Sequence, residues 1–468
     1  MRIEDGLKKI ASERLISFHM PGHKNGRLVS SFFANPFLYD ITEIPGADNL
    51  HEPREIIKNT QEALRRYYGS QKSYILVNGS TSGIYAAVMA SASPGETLIV
   101  SRESHRSIYS ALMLGGIQAS YIYPESDDHS GANLEVTLEK VKEAFEKTPG
   151  AKGLVITSPT FLGILSPVRE IADYLHGLDK ILIVDEAHGA HLKMMGQNHQ
   201  GSLCQGADLV IHSLHKTLPV LTQGSALHLN SHRVDQDKLE SLLNIHQTSS
   251  PSYVIMASLD LGLKLMEEEG DVLGKALLNH IDDFKTAMAG HPYLQLLTHP
   301  SQDLTRLVLV NRRGKRTDFN RLETLLRKEY RIQAEYSYDK GLVLITGIAN
   351  TREDFTALSD ALWAVDFEKL INPRDYGTIK YIRPDGRKSL REAFYSRLTW
   401  VPLSKAEGLA SARMIIPYPP GIPLIVPGEV FSGAVIERIH QMIALEYNVL
   451  GIKEKNRLVS VAVIEEEN

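Results

Sequence analysis

From about Tyr67 to about Leu229, short apolar and β-branched runs alternate with stretches of helical spacing, and nothing else in the sequence restricts the fold as much. Strands separated by helices cannot pair as tight hairpins. They line up as a mostly parallel sheet with helices on its faces, so the class is α/β. Strands are expected at Tyr74–Val77, Thr97–Val100, Ala119–Tyr123, Gly153–Thr157, Ile181–Val184, Leu209–His212 and Ser225–Leu229. Helices are expected at Gly83–Ala90, His105–Leu114, Leu138–Glu146 and Val168–Leu175. Residues 253–289 hold no proline and read as long helical structure leading away from this sheet. The β runs Leu307–Val310 and Leu342–Ile345, with helical Phe319–Leu326 between them, then predict a smaller α+β unit. A chain of 468 residues divides on these grounds into an N-terminal segment 1–60, a large domain 61–290, a small α+β domain 291–375 and a C-terminal domain 376–468. The proline-dense Pro417–Pro423 predicts a rigid turn.

A formal charge of -5 and the absence of a Lys/Arg stripe interleaved with aromatics argue against nucleic acid as a partner. No apolar run approaches the roughly 18 residues of a membrane span, and the first residues lack signal-peptide order, so a cytoplasmic protein is expected. One cysteine, Cys204, excludes an intrachain disulfide and reads as a small buried apolar residue.

In an open α/β sheet, ligands bind beyond the carboxyl ends of the strands, so the residues found there carry the chemistry. Neither a G-x-G-x-x-G fingerprint nor a Walker-type loop occupies the early strand-to-helix turns, which disfavours a dinucleotide enzyme and a P-loop NTPase. Asn78-Gly79-Ser80-Thr81-Ser82-Gly83 stands there instead. Its glycines admit a ligand, its hydroxyls donate and a helix N-terminus favours an anion, so it suits a monophosphate; plain helix capping is the alternative. The buried-strand pattern Ile181–Val184 ends in Asp185, placed to hold a pyridinium nitrogen protonated or to cap the next helix. His188 and His191 beside it complete no metal-spacing motif, and no metal is expected. Ser213-Leu214-His215-Lys216 follows another strand, and a lysine at a strand end can form an imine with an aldehyde cofactor.

These residues taken together resemble the bacterial ornithine/lysine/arginine decarboxylase family of fold-type-I pyridoxal-phosphate enzymes. The resemblance covers nearly the whole chain: Phe18-His19-Met20-Pro21-Gly22-His23-Lys24, the run from Asp40 through His51, Asp185–Gly189, Ser213–Lys216 with Gln223, and Tyr418–Pro423 followed by Pro427-Gly428-Glu429. It implies an aspartate-aminotransferase-like fold in the compact form of the family, without an N-terminal regulatory domain. It further implies that Lys216 carries pyridoxal 5'-phosphate as an imine, that Asp185 pairs with the ring nitrogen, and that His105 stacks on the ring. Ser80, Thr81, Ser82, Ser213 and His215 would surround the phosphate, with His188 also at the cofactor. Thr248 and Ser249, in His246–Pro251, would reach a neighbouring subunit's phosphate, which implies a homodimer or a larger assembly.

The activity so implied is decarboxylation of lysine, arginine or ornithine, with His215 or Lys216 returning a proton to Cα. Such a substrate needs an acid for its distal cation, and Glu43 and Asp48 are the candidates; surface or helix-start carboxylates are the alternative. Two departures stand out: Thr217–Thr222 replaces mostly small residues, and Leu409 stands where many members carry arginine. Another reaction on the same cofactor, or a non-catalytic homologue, stays open because fold does not dictate reaction.

Overall fold

The computed structural model describes residues 2–196, 201–371, 382–418, 421–455 and 458–465. Its central sheet has seven strands in the spatial order Lys72–Leu76, Ser225–Leu229, Leu209–His212, Ile181–Asp185, Gly153–Thr157, Thr97–Ser101, Gln118–Ile122. Ser225–Leu229 runs antiparallel to both its neighbours, and the other pairings are parallel. The middle strands are unbroken apolar runs because both faces of the sheet are covered. Successive side chains therefore enter opposite cores: Leu182 and Val184 join one buried cluster, Ile181 and Ile183 the other.

The first strand and helix lie earlier than expected, at Lys72–Leu76 and Gly79–Ser91. Asn78 is the N-cap and Gly79 has φ of +73°, a left-handed conformation that favours glycine. The hydroxyl-rich stretch is thus the first turn of the helix rather than a loop before it. Cys204 is exposed, against the expectation of burial, because it lies in a turn between the strands rather than in either core.

The helix Tyr253–Ala287, 35 residues long, leads from the large sheet to a four-stranded antiparallel one, ordered Tyr336–Tyr338, Gly341–Ile345, Arg306–Asn311, Leu294–Leu296. The two apolar runs singled out in this region pair directly, Leu307 opposite Leu344. Near the N-terminus, Ile16–Phe18 pairs in parallel with Ile332–Ala334 as a separate two-stranded sheet, which fastens the Phe18–Lys24 motif to the small unit. A third sheet follows, of Leu398–Pro402, Leu458–Ile464 and Ile452–Lys455, with the helix Gly433–Ala444 beside it. Of the proline-dense turn, Pro419 and Pro420 lie outside the described residues.

Candidate active site

Because the strands from Thr97–Ser101 to Leu209–His212 are parallel, their carboxyl ends open on one side, and a cavity of about 520 Å³ lies there. Asn78–Thr81, Glu103, His105, Thr157, Asp185, His188, Ser213, His215 and Lys216 all line it. Lys216 Nζ lies 3.0 Å from His188 Nε2, and the other ring nitrogen, Nδ1, lies 2.9 Å from an Arg306 terminal nitrogen. A guanidinium only donates, so His188 Nδ1 accepts and the ring proton sits on Nε2. That proton is donated to Lys216, whose amine must be neutral to accept it. Burial lowers the lysine pKa and the Arg306 charge adds to this, against Asp185 and Glu335. Burial, then Lys216 and Arg306, likewise hold His188 well below the ordinary histidine value. Burial and the Arg306 charge thus push Lys216 toward the unprotonated amine, the form that attacks an aldehyde.

Asp185 is 3% exposed and accepts the Ala187 N–H at 3.2 Å. Burial raises its carboxyl, opposed by the Lys216 charge. His105 is both an N-cap and part of the cavity wall: its Nδ1 accepts from the Ser107 N–H at 3.3 Å, which fixes the ring, and burial followed by the Lys216 and Arg106 charges lowers it to about 3. His215 Nδ1 donates to the Gly224 carbonyl at 3.1 Å, and burial takes it down to about 4. Ser213 Oγ donates to Ser80 Oγ at 2.8 Å, which gathers two hydroxyls at the N-terminus of Gly79–Ser91, with Thr81 alongside.

Three expected groups are not brought into this cavity as read. Ser82 is buried, and its hydroxyl donates back to the Gly79 carbonyl at 2.8 Å, so it completes the helix turn. Asp48 is a helix-start carboxylate: it accepts the N–H groups of Asn49, Arg54, Glu55 and Ile57 at 2.8 to 3.0 Å, ahead of the helix Ile56–Tyr68. Against the upward push of burial, those N–H groups hold its carboxyl below the usual range. Glu43 is exposed and lies outside the cavity lining. Thr248 and Ser249, expected at a neighbouring subunit's phosphate rather than here, are exposed and outside the lining, and the Thr248 N–H donates to Asn78 Oδ1 at 3.3 Å.

Sequence reasoning gave no site role to other wall residues, among them Met20, Glu103, Thr157, Phe161, Glu335, Tyr418 and Ile422, nor to Arg306 behind His188. Glu103, Thr157 and Phe161 end or follow central strands, so the strand-end rule that selected Asp185 would also have found them. Arg306 and Glu335 come from the small unit and carry no local signal. The N-terminal motif finds its reason here. Gly22 donates to the His215 carbonyl at 2.8 Å, and a Cβ on it would come 2.5 Å from the Thr217 carbonyl carbon, so only glycine lets this strap lie against the Lys216 turn. Met20 N–H donates to the Glu335 carboxylate at 2.9 Å, and buried Lys24, lowered to about 7 by burial, donates to the His19 and Ile345 carbonyls. From the other end of the chain, Arg102 donates to the Pro423 carbonyl at 2.7 Å and pairs with Glu429 at 3.0 Å, which brings Tyr418 and Ile422 to the cavity.

A buried lysine, a buried carboxylate, a fixed imidazole and hydroxyls at a helix N-terminus fit an aldehyde-bearing pyridine phosphate; Thr157 Oγ1, buried on the cavity wall with no partner among the described residues, is a further group left for a ligand. Fold and site define an aspartate-aminotransferase-like, fold-type-I enzyme whose cofactor is pyridoxal 5'-phosphate. Residues 3–303 match the family described as Orn/Lys/Arg decarboxylase, major domain, and residues 382–452 match its C-terminal domain. The chain belongs to the Orn/Lys/Arg decarboxylase family. It is 34% identical to the uncharacterized protein YaaO of Bacillus subtilis, over 96% of each chain. It is 30% identical to an arginine decarboxylase of the same organism, over 99% of this chain and 97% of that one. The lysine decarboxylase LdcF of Francisella novicida superposes with a TM-score of 0.77 at 19% identity, over 92% of this chain and 75% of that one, and so shares the fold.

Proposed function

We propose that this protein decarboxylates a basic L-amino acid, arginine, lysine or ornithine, to the corresponding amine and carbon dioxide. The observation that carries the reading is the Arg306–His188–Lys216 chain, which holds a buried lysine in the same cavity as Asp185, with room for cofactor and substrate. When bound, the cofactor supplies an electron-withdrawing ring that stabilises the electron pair left on Cα as carbon dioxide departs. Lys216 would hold it, Asp185 would keep its nitrogen protonated, His105 would cover one ring face, and Ser80, Thr81, Ser213 and His215 would stand around the phosphate. His188 donates to the lysine amine and so orients it. The Cα–carboxylate bond breaks and a Cα–H bond forms, so each turnover takes up one proton. Lys216 or His215 delivers it.

The same reading divides the chain at about residues 60, 290 and 375, which the separation of the seven-, four- and three-stranded sheets supports. It places Thr248 and Ser249 toward a second subunit of a homodimer, supported by their exposure beside Asn78. A cytoplasmic location is consistent with the finding that, among the described residues, no helix is long and apolar enough to cross a membrane.

The test is visible absorbance before and after borohydride, followed by carbon dioxide release from arginine, lysine and ornithine in turn. Arginine comes first because of the 30% relative. A reducible chromophore and release from one of the three are expected. A chromophore without release from any would overturn the reaction and keep the cofactor.

A further inference from the structure

Behind the cofactor cavity lies a second one of about 230 Å³, and the two share Glu103, Phe161 and Ile422 as a common wall. The aromatic side chains of Phe161, Tyr336, Tyr338 and Tyr447 line part of the second cavity. Glu103 follows the strand Thr97–Ser101 and is 6% exposed. The Asn133 side chain and the Phe161 N–H hydrogen-bond its carboxyl, and among the described residues no basic side chain pairs with it. Burial pushes this group up to about 8, against those two hydrogen bonds. A carboxylate kept from water without a cation is costly, so the charged form waits for a positive partner.

The other charged groups around the second cavity are engaged. Asp127 accepts from the Ser130 N–H and hydroxyl, Lys340 donates to the Asp128 carbonyl, and Asp339 and Arg438 act on each other. On the cofactor side, Glu335 takes the Met20 N–H, His105 caps its helix, and Asp185 faces Lys216. Glu103 is the acid left at the junction, and it lines the same cavity as Lys216. We propose that Glu103 receives the distal cation of the substrate and that the aromatic cavity behind it accepts a planar guanidinium in preference to a compact ammonium. Flat cations stack on tyrosine faces and fork onto carboxylates, whereas an ammonium is a strongly hydrated point charge. The inference rests on the decarboxylase reading and replaces Glu43 and Asp48 as the residues that recognise the side chain.

The test uses the holoenzyme and two probes that cannot exchange with Lys216: n-butylguanidinium and its neutral isostere n-butylurea. Calorimetry at pH 7 is expected to show the cation binding at least tenfold tighter, with release of a proton as the Glu103 carboxyl ionises. Glu103→Gln should abolish both the preference and the proton release while the visible absorbance of the bound cofactor is unchanged. Equal binding of the two probes to the unaltered protein, or a preference that survives Glu103→Gln, would overturn the proposal. Should the variant fail to fold, the unaltered protein still decides: no proton release as the buffer's ionisation enthalpy is varied would overturn it too. A charge preference without carbon dioxide release from any basic amino acid would remove the reaction and keep the cation receptor.

Discussion

The floor and the roof of the cofactor cavity are built in opposite ways. The floor is a row of strand ends, and Asn78–Thr81, His105, Asp185 and Ser213–Lys216 each belong to a short motif held by one parallel strand. The roof is assembled from Met20, Glu335, Tyr418 and Ile422, with Arg306 behind His188, residues that come from both ends of the chain and from the small sheet. On the proposed reading the floor would supply the groups that hold the cofactor. The roof adjusts their charge and shapes the space left for a substrate, so changes to the floor should abolish activity and changes to the roof should shift its pH dependence or selectivity.

The largest effect is expected from Lys216→Ala, which removes the imine: borohydride should no longer bleach a chromophore, and carbon dioxide release should fall by on the order of 10³-fold or more. Normal turnover in that variant would end the floor assignment. Asp185→Asn should lower kcat by on the order of 10²-fold, because the ring nitrogen loses the charge that keeps it protonated, with the protein still folded by circular dichroism. In the roof, Arg306→Leu takes away the charge that lowers the Lys216 pKa and the donor that sets the His188 tautomer. Reloading of apoprotein with cofactor should slow about tenfold at pH 7 and recover as pH rises, since one pKa unit is about a factor of ten. A loading rate with unchanged pH dependence would separate Arg306 from the lysine.

A milder contrast concerns acid. Burial takes His19 and His215 to about 4 and His105 to about 3, below the ordinary 6.5. Unfolded chains therefore bind more protons in this range, and the stability these neutral rings contribute is complete above about pH 6.5 and is lost as pH falls toward 4. The melting temperature of apoprotein should drop across that window, and an apoprotein whose melting is flat from pH 6.5 to 4 would argue that the three rings are not buried together. The smallest effect is Asp48→Ala, which removes a helix-start acceptor and should cost about 1 kcal/mol in denaturant titration without changing KM. A raised KM there would return Asp48 to the substrate.

The central sheet was legible because its signal is local: an apolar run such as Ile181–Val184 followed by Asp185 states a buried strand and the residue at its end. The same logic placed Lys216 and His105, and it would have placed Glu103 had every strand end been weighed. It erred at Ser82 and Asp48, because a hydroxyl or carboxylate at a helix start reads alike whether it serves a ligand or its own backbone. Only the hydrogen-bond geometry separates the two.

By itself the sequence determined the α/β class and the strand ends at which the floor residues stand, since strand periodicity and strand-end position are properties of neighbouring residues; the family followed from its motifs. Tertiary structure alone decided that Arg306 holds His188, that Glu335 anchors Met20, and that Glu103 stands between two cavities. Those relations join residues far apart in the chain, and a pKa or a cavity depends on which of them come together and how much water they exclude.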